Sequence, residues 1–449
     1  MKKYESYIDS GVDWIGQIPS EWQISKMKYY ANVFTGNSLN DSQKLEFESD
    51  DPDHLAYIAS KDIDVNTTAV NYENGTRIPR DQVNLKVAPA FSSLLCIEGG
   101  SAGRKMAFIN QEVCFVNKLA CIDLEKKWLA KYTFYFLKSE IFQKQFTESL
   151  AGLIGGVSIT NLRNFLMPIP PNFDALEIAR YLDHQTALID ELIEKKQRLI
   201  QALEEKRKAV INEAVTKGLN PSVRMKDSGI DWIGEIPEHW DIKKLRYLGK
   251  CQNGVSAGSE YFGEGDPFIS YSDVYKNASL PDQILGLAKS SELDKENYSV
   301  LEGDIFFTRT SETVEEIGLS SVCLNSVPAA VFAGFLIRFR PQNPFQELNK
   351  WFSKFYFRSH IVRHHLVKEM NLVTRASLSQ ELLKSVPVLL PPINEQIKIG
   401  EHLQEITSSI DTTIDKIYSA IEKLKEYRQS LISEAVTGKI DVRDWEPSN

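Results

Sequence analysis

Residues 7–30 read YIDSGVDWIGQIPSEWQISKMKYY, and residues 225–248 read MKDSGIDWIGEIPEHWDIKKLRYL. Asp9, Ser10, Gly11, Asp13, Trp14, Ile15, Gly16, Ile18, Pro19 and Trp22 all recur 218 positions later, ending at Trp240. A repeat this long exceeds a solenoid unit and implies duplication of a whole domain-plus-helix module. Glycine and proline punctuate the stretch, so it reads as a loop followed by a short strand from Trp22 or Trp240. Both tryptophans are expected to anchor a core, because of their size and burial habit.

A second duplication lies downstream. Ile189, Ile193, Ile200, Leu203, Val210 and Ala214 are spaced by steps of about three and four, and Ile410, Ile414, Ile417, Ile421, Leu424, Leu431 and Ala435 repeat the pattern at a constant shift of 221. Such a seam stays on one side of a helix only if the helix winds around a partner, so each long helix is expected to be the other's partner. Arg207 and Arg428, also 221 apart, fall on core-facing positions of the seam, where a charge can fix register or orientation. Lys196 stands where Ile417 continues the second ladder, so the two helices are not identical. The mixed charges Glu204-Glu205-Lys206-Arg207-Lys208 and Glu422 to Glu426 otherwise read as solvated faces.

Proline fixes where these helices begin. Met167-Pro168-Ile169-Pro170-Pro171 precedes the first, and Val386-Pro387 through Leu390-Pro391-Pro392 precedes the second. The same Glu-Ala-Val-Thr ending, at 213–216 and 434–437, leads to Gly218 and Gly438 as helix caps. A helix from Leu182 to Val215 would span about 50 Å. Between opening segment and helix the pattern becomes short β-like runs: Leu55–Ile58, Ser93–Ile97, Met106–Ile109 and Leu119–Leu124, then an aromatic helix near Trp128 to Phe146. The second copy offers Phe268–Ser270, Asp304–Thr308, Ala330–Arg340 and a helix near Leu348 to Glu369. These stretches share little identity, although the segments around them agree. A duplicated frame with divergent cargo is expected if the two cargoes bind different things.

The bulk composition excludes several classes. At 449 residues, 42% hydrophobic and 25% charged, the chain reads as a soluble globular protein of two to four domains. A net charge of -9 argues against a uniformly basic coat but leaves room for local basic faces. Five cysteines without a CxxC pair point to a reduced compartment and away from a cysteine-based zinc site. Without a signal-peptide core or an apolar run near the ~18 residues of a membrane span, a cytoplasmic location is expected.

No catalytic motif stands out. There is no GxxxxGK[ST] phosphate loop, and Gly99-Gly100-Ser101-Ala102-Gly103 reads as a tight turn. Asn343-Pro344-Phe345 lacks a proline of the base-gripping methyltransferase motif, and Pro52-Asp53 with Glu125-Lys126-Lys127 fits a PD…ExK nuclease pattern only by force. His364-His365 has no metal-like spacing and reads as solvated or phosphate-contacting. DNA-contact chemistry is better represented. Ser101, Arg104 and Lys105 follow a strand through the glycine turn; Arg309, Thr310 and Ser311 follow a strand at the equivalent place in the second copy. Arginine there can pair bidentately with guanine, and serine or threonine can bond bases or phosphates. Lys61 matches Ser270, Tyr271 and Ser272 at strand ends; Arg77 and Arg80 flank a turn; Arg375 lies in Thr374-Arg375-Ala376-Ser377. Lys350, Lys354 and Arg358 are four apart on a helix and are expected to form a rail for the DNA backbone.

This layout resembles the specificity subunit of a Type I restriction–modification system. The resemblance covers nearly the whole chain and rests on the DSGxDWIGxIPxxW segments at 9–22 and 227–240, the helices opening after Pro170-Pro171 and Pro391-Pro392, and the EAVT endings with Gly218 and Gly438. Two departures are visible: Glu395-Gln396 is matched by Asp174-Ala175, and Arg309-Thr310-Ser311 by Glu98-Gly99-Gly100. The resemblance implies an α+β protein, with two mixed α/β target-recognition domains joined by two long antiparallel coiled-coil helices in an internal pseudo-two-fold repeat. The expected boundaries are a first recognition domain at 1–168, a first helical spacer at 169–218, a second domain at 219–389, a second spacer at 390–439 and a tail at 440–449. It also implies a subunit without its own active site or cofactor, which binds double-stranded DNA and reads half of a split, asymmetric site with each domain. Its helices would set the gap and dock two methyltransferase subunits, which methylate adenine N6. Two restriction/translocase subunits would join these, so S-adenosylmethionine, ATP and Mg²⁺ would belong to the partners. The alternatives are an orphan DNA-binding or scaffold protein, and a self-sufficient nuclease or methyltransferase.

Overall fold

In the computed structural model, which describes residues 2–82, 84–150, 155–311, 317–343, 346–369 and 376–447, the divergent stretches each build a four-stranded sheet of the same strand order. The chain forms two compact units, residues 1–196 with 419–449, and residues 197–418. In the first, an antiparallel sheet runs Ala31–Thr35, Leu119–Leu124, Ser93–Cys96, Met106–Phe108. In the second the order is Gly249–Asn253, Leu336–Pro341, Ile305–Thr308, Ser320–Val322. Each unit adds a second sheet around one parallel pair: Leu55–Ile58 with Val113–Phe115, and Phe262–Ile269 with Val331–Phe332. The strands Leu55–Ile58, Ser93–Cys96 and Ile305–Thr308 are buried at every residue, which explains their unbroken apolar runs.

Three expected elements are interrupted, among them the helix near Leu348 to Glu369, which divides into Lys350–Tyr356 and His360–Glu369. The aromatic helix consists of Ala130–Lys138 and Glu140–Glu148, parted at Ser139, whose Oγ accepts from the Phe142 N–H as an N-cap. The run expected at 330–340 breaks into Val331–Phe332 and Leu336–Pro341 around Gly334, where a Cβ would lie 2.3 Å from Ser256 Oγ. The strand expected after each tryptophan is present, and it pairs with the strand before the proline stop: Gln23–Lys26 with Leu166–Ile169, and Asp241–Lys244 with Pro387–Leu390.

The long helices span Asn172–Lys217 and Ile393–Val436, starting directly after the double prolines. In the first unit Ile189, Ile193, Leu424 and Leu431 share one apolar cluster; in the second Val210 and Ala214 pack with Ile399 and Leu403. The seam arginines are not isolated core charges. Arg428 pairs with Asp190 in the first unit, and in the second Arg207 Nε lies 3.1 Å from Asp411 Oδ1. Both arginines are only partly covered and both aspartates are about half exposed, so the pairs sit at the seam's rim. Asp190 and Asp411 are themselves 221 apart, so the duplication carries one interhelical ion pair twice.

Each helix ends beneath a tryptophan. Gly218 and Gly438 adopt left-handed φ values of 75° and 68°. A Cβ on Gly438 would meet the Pro19 ring at 2.4 Å and Trp22 at 3.3 Å; one on Gly218 would meet Trp240 at 3.3 Å. In the first unit Trp22 Nε1 donates to the buried Asp174 carboxylate at 3.1 Å, and the Tyr132 hydroxyl donates to the carbonyls of Pro168 and Val436. In the second, the Glu395 carboxylate accepts from His239 Nε2 at 2.8 Å. Residues 440–447 complete the first unit: Asp441 bridges Lys2, and Trp445 packs edge-on to Tyr181.

Gly438→Ala should therefore lower the thermal unfolding midpoint more than Gly11→Ala. Both residues have positive φ, but open space surrounds Gly11, and the strained backbone alone costs about 1 kcal/mol. A double-mutant cycle on Asp190 and Arg428, read by chemical denaturation, should give a coupling of about 0.2–1 kcal/mol, as for a partly exposed pair.

Candidate nucleic-acid interface

In the first unit the fold gathers residues that are distant in sequence. Lys105 Nζ donates to the Ser60 carbonyl at 2.7 Å, which joins the glycine turn to the short helical turn Ser60–Asp62 that carries Lys61. Lys61 and Arg104 are exposed, and Arg104 Nη2 donates to the Gly100 carbonyl at 2.6 Å, while Ser101 stands beside them in the turn. Lys118, which the sequence pattern did not single out, belongs to the same edge, since its carbonyl accepts from the Ile97 N–H at 3.0 Å. Only the pairing of non-adjacent strands brings it there.

Arg77 and Arg80 lie elsewhere. Arg77 Nη1 reaches the His54 carbonyl, and Arg80 donates to the Asp53 carbonyl and to Glu112 at 2.9 Å. Asp53 and His54 precede the strand Leu55–Ile58, whereas Lys61 follows it, so the two basic groups occupy opposite ends of that strand.

In the second unit Tyr271, Arg309 and Thr310 line one cavity of about 740 Å³ with Ser256, Phe262 and Phe335. Phe335 is 65% exposed, so an aromatic face stands beside an arginine and the hydroxyls of Ser256, Tyr271 and Thr310. That combination provides bidentate donors for a purine edge and an apolar wall for a base or a thymine methyl group. Phe262, Phe335 and Ser256 carried no sequence signal, since their roles depend on the turn at Gly334. Thr310–Ser311 pairs with Ala376–Ser377, while Arg375 and Thr374 lie outside the described residues, as do Pro344 and Phe345.

Several expected contacts have other duties. Ser270 caps the helix Tyr271–Lys276, with its Oγ bound to Asp273; Ser272 is exposed on that helix's first turn. The expected rail of Lys350, Lys354 and Arg358 turns inward. Lys350 binds Glu302 and the Leu324 carbonyl, Lys354 binds Gln404, and Arg358 donates to the carbonyls of Val274, Tyr275, Asn277 and Ser320. Helical spacing put the three on one face, and the tertiary fold covered that face. His364 is exposed and stacks on His360; the His365 ring lies flat on Trp232, and burial pushes its pKa down. Among the described residues no group of three or more His, Cys, Asp or Glu side chains is placed to hold a metal ion, and no helix is long and apolar enough to cross a membrane.

Two matched recognition layouts on a duplicated frame have counterparts in known proteins. Residues 19–204 and 237–423 match the family described as Type I restriction modification DNA specificity domain. The chain belongs to that family. Each match takes in one divergent region and most of the long helix behind it. The chain is 24% identical to the Type I restriction enzyme EcoKI specificity subunit of Escherichia coli (strain K12), covering 97% of this chain and 92% of that one. It is 22% identical to the putative type I restriction enzyme MjaX specificity subunit of Methanocaldococcus jannaschii, with 96% of each chain covered. The fold is shared with a chain from a solved type I R-M system assembly, at a TM-score of 0.71, 16% identity and coverage of 94% and 99%. The HsdS subunit from Thermoanaerobacter tengcongensis follows at 0.56, with 14% identity and coverage of 94% and 98%. This specificity subunit thus carries two target-recognition domains for DNA sequence, one in each unit.

Arg309→Ala should weaken binding to the target duplex by about 1–3 kcal/mol and relax one position of the recognised sequence. Lys61→Ala should instead weaken binding to all sequences alike and flatten the salt dependence by about one unit of slope. Arg358→Ala, measured in parallel, should lower the unfolding midpoint without changing which sequence is preferred.

Proposed function

We propose that this specificity subunit is the non-catalytic DNA reader of a cytoplasmic restriction–modification complex and recognises an asymmetric site in two halves, one per recognition domain. The observation that carries this reading is the contrast within the chain: the same four-stranded sheet order recurs on the same frame, while the side chains at the exposed edges differ. Lys61, Ser101, Arg104 and Lys105 belong to one reader, and Tyr271, Ser272, Arg309, Thr310 and Ser311 to the other. Two readers with different chemistry suit two different half-sites. The paired long helices suit a spacer that sets the gap between them, because a packed seam fixes length and register.

The same helices are proposed to dock two methyltransferase subunits and, through them, two restriction/translocase subunits. S-adenosylmethionine, ATP and Mg²⁺ are then the partners' requirements. Exposed Leu188, Leu192, Leu199 and Tyr418 on the helices are compatible with protein contact, since large apolar side chains at a protein surface favour association.

Incubated alone with DNA, Mg²⁺ and S-adenosylmethionine, the purified chain should neither cleave nor methylate, and turnover would overturn the non-catalytic assignment. With partner subunits added, replacing residues 32–165 by another recognition domain should change one half of the methylated motif, read by sequencing modified bases. A change in both halves would refute the division of labour.

A further inference from the structure

The second unit contains a cationic cavity beside the first long helix. The cavity, of about 470 Å³, is lined by Arg207 and Lys208 of the first long helix, Lys276, Lys354, Arg358 and Arg363. Among the described lining residues the one carboxylate is Asp411, and it faces Arg207. Lys354 Nζ donates to an amide, Gln404 Oε1 at 2.8 Å, and Arg358 to backbone carbonyls at 2.6–3.2 Å. Carbonyls and an amide satisfy Lys354 and Arg358 without cancelling their charge, whereas Lys208 pairs with Glu205 at 2.7 Å. The cations consequently repel one another across the cavity. Burial, and then the Arg207 charge, lower the pKa of Lys354; burial followed by Arg363 and Arg207 pushes Arg358 down to about 10.

The first unit serves as an internal control. Residues 135–142, YFLKSEIF, align with 355–362, FYFRSHIV, at a shift of 220. At that shift Phe134 replaces Lys354, Lys138 replaces Arg358, Glu140 replaces His360 and Gln143 replaces Arg363. On the long helices, at the shift of 221, Gln429 replaces Lys208 and Asp183 replaces Gln404. Asp183 accepts from the Tyr135 hydroxyl at 2.6 Å and pairs with Lys131 at 3.2 Å. The duplicated frame therefore folds with neutral groups in place of Lys354, Arg363 and Lys208, while Lys138 and Arg428 keep the positive charges of Arg358 and Arg207. Packing does not require the excess positive charge of the second unit.

We propose that this cavity of the second unit is a binding site for a multiply charged phosphate group. With Arg207 paired to Asp411 and Lys208 to Glu205, Lys276, Lys354 and Arg358 still present more than one positive charge to the cavity, and guanidinium and ammonium groups are common phosphate ligands. The volume accommodates a di- or triphosphate, or one backbone phosphate with its neighbouring sugars. The same chemistry has two sources, a free polyphosphate or the backbone of bound DNA. The site does not depend on the sequence-reading role of Arg309 and its neighbours.

The test uses the full chain and tripolyphosphate, followed by calorimetry and thermal unfolding. Saturable one-to-one binding that raises the unfolding midpoint is expected. The exposed pair Lys208→Glu/Lys276→Glu should reduce that affinity at least about tenfold while the ligand-free protein stays folded. Gln404→Glu, which supplies a carboxylate near the place of Asp183 in the first unit, should weaken binding in the same direction. Absence of saturable binding to the wild type, or unchanged affinity in both variants, overturns the proposal. Duplex DNA that displaces tripolyphosphate identifies the DNA backbone as the natural source, and simultaneous binding identifies a free polyphosphate. If tripolyphosphate binds and no duplex does, the phosphate site stands and the DNA-reading proposal fails.

Discussion

The left-handed glycine that ends each long helix, sealed under a tryptophan from the opening segment, is the contact on which the rest of the architecture depends. A helix end exposes carbonyl groups without partners, and a glycine cap turns the chain so that these can be satisfied locally. The Pro19 and Trp22 rings leave no room for a side chain on Gly438, and Trp240 approaches Gly218 in the same way. In the second unit tryptophan and glycine are close in sequence. In the first they are more than four hundred residues apart, so the unit can form only when the second long helix returns to it. One local contact, repeated, thus makes a discontinuous unit out of a linear duplication.

This frame tolerates change in what it carries. The sheets keep their strand order because their inner faces need only apolar residues of suitable size, while the turns that join them are free to vary. The consequence is two edges of unlike chemistry. One combines lysines and an arginine around a glycine turn, and the other sets an arginine against phenylalanine and tyrosine rings. The same freedom extends to the flank of the helices, where Phe134, Gln143 and Gln429 of one unit correspond to Lys354, Arg363 and Lys208 of the other. Asymmetry of function on a symmetric backbone needs nothing more than such substitutions at covered or exposed polar positions.

Much of the fold was legible in the sequence because its signals are local or repeated. Proline stops, the EAVT-glycine endings and the seam spacing placed both long helices to within about a turn, and the strands Leu55–Ile58 and Leu119–Leu124 coincide with their apolar runs. The candidate interface was less legible. Spacing of four residues put Lys350, Lys354 and Arg358 on one face but carried no information about which face would be covered. Ser270 looked like a contact, since the capping role of its hydroxyl depends on Asp273 three residues later in a helix the pattern did not show.

The sequence alone determined the duplication, the family resemblance, the helix boundaries and the identity of the residues available for contact, because these are properties of composition and period. The tertiary structure decided which of those residues reach a common edge, and that Arg207 and Arg428 meet aspartates across the seam. It also decided that Gly438 lies beneath Trp22 and that cations from four helices line one cavity. These are meetings of segments far apart in the chain. Periodicity records the face a residue occupies on its own element, and only packing settles what lies opposite.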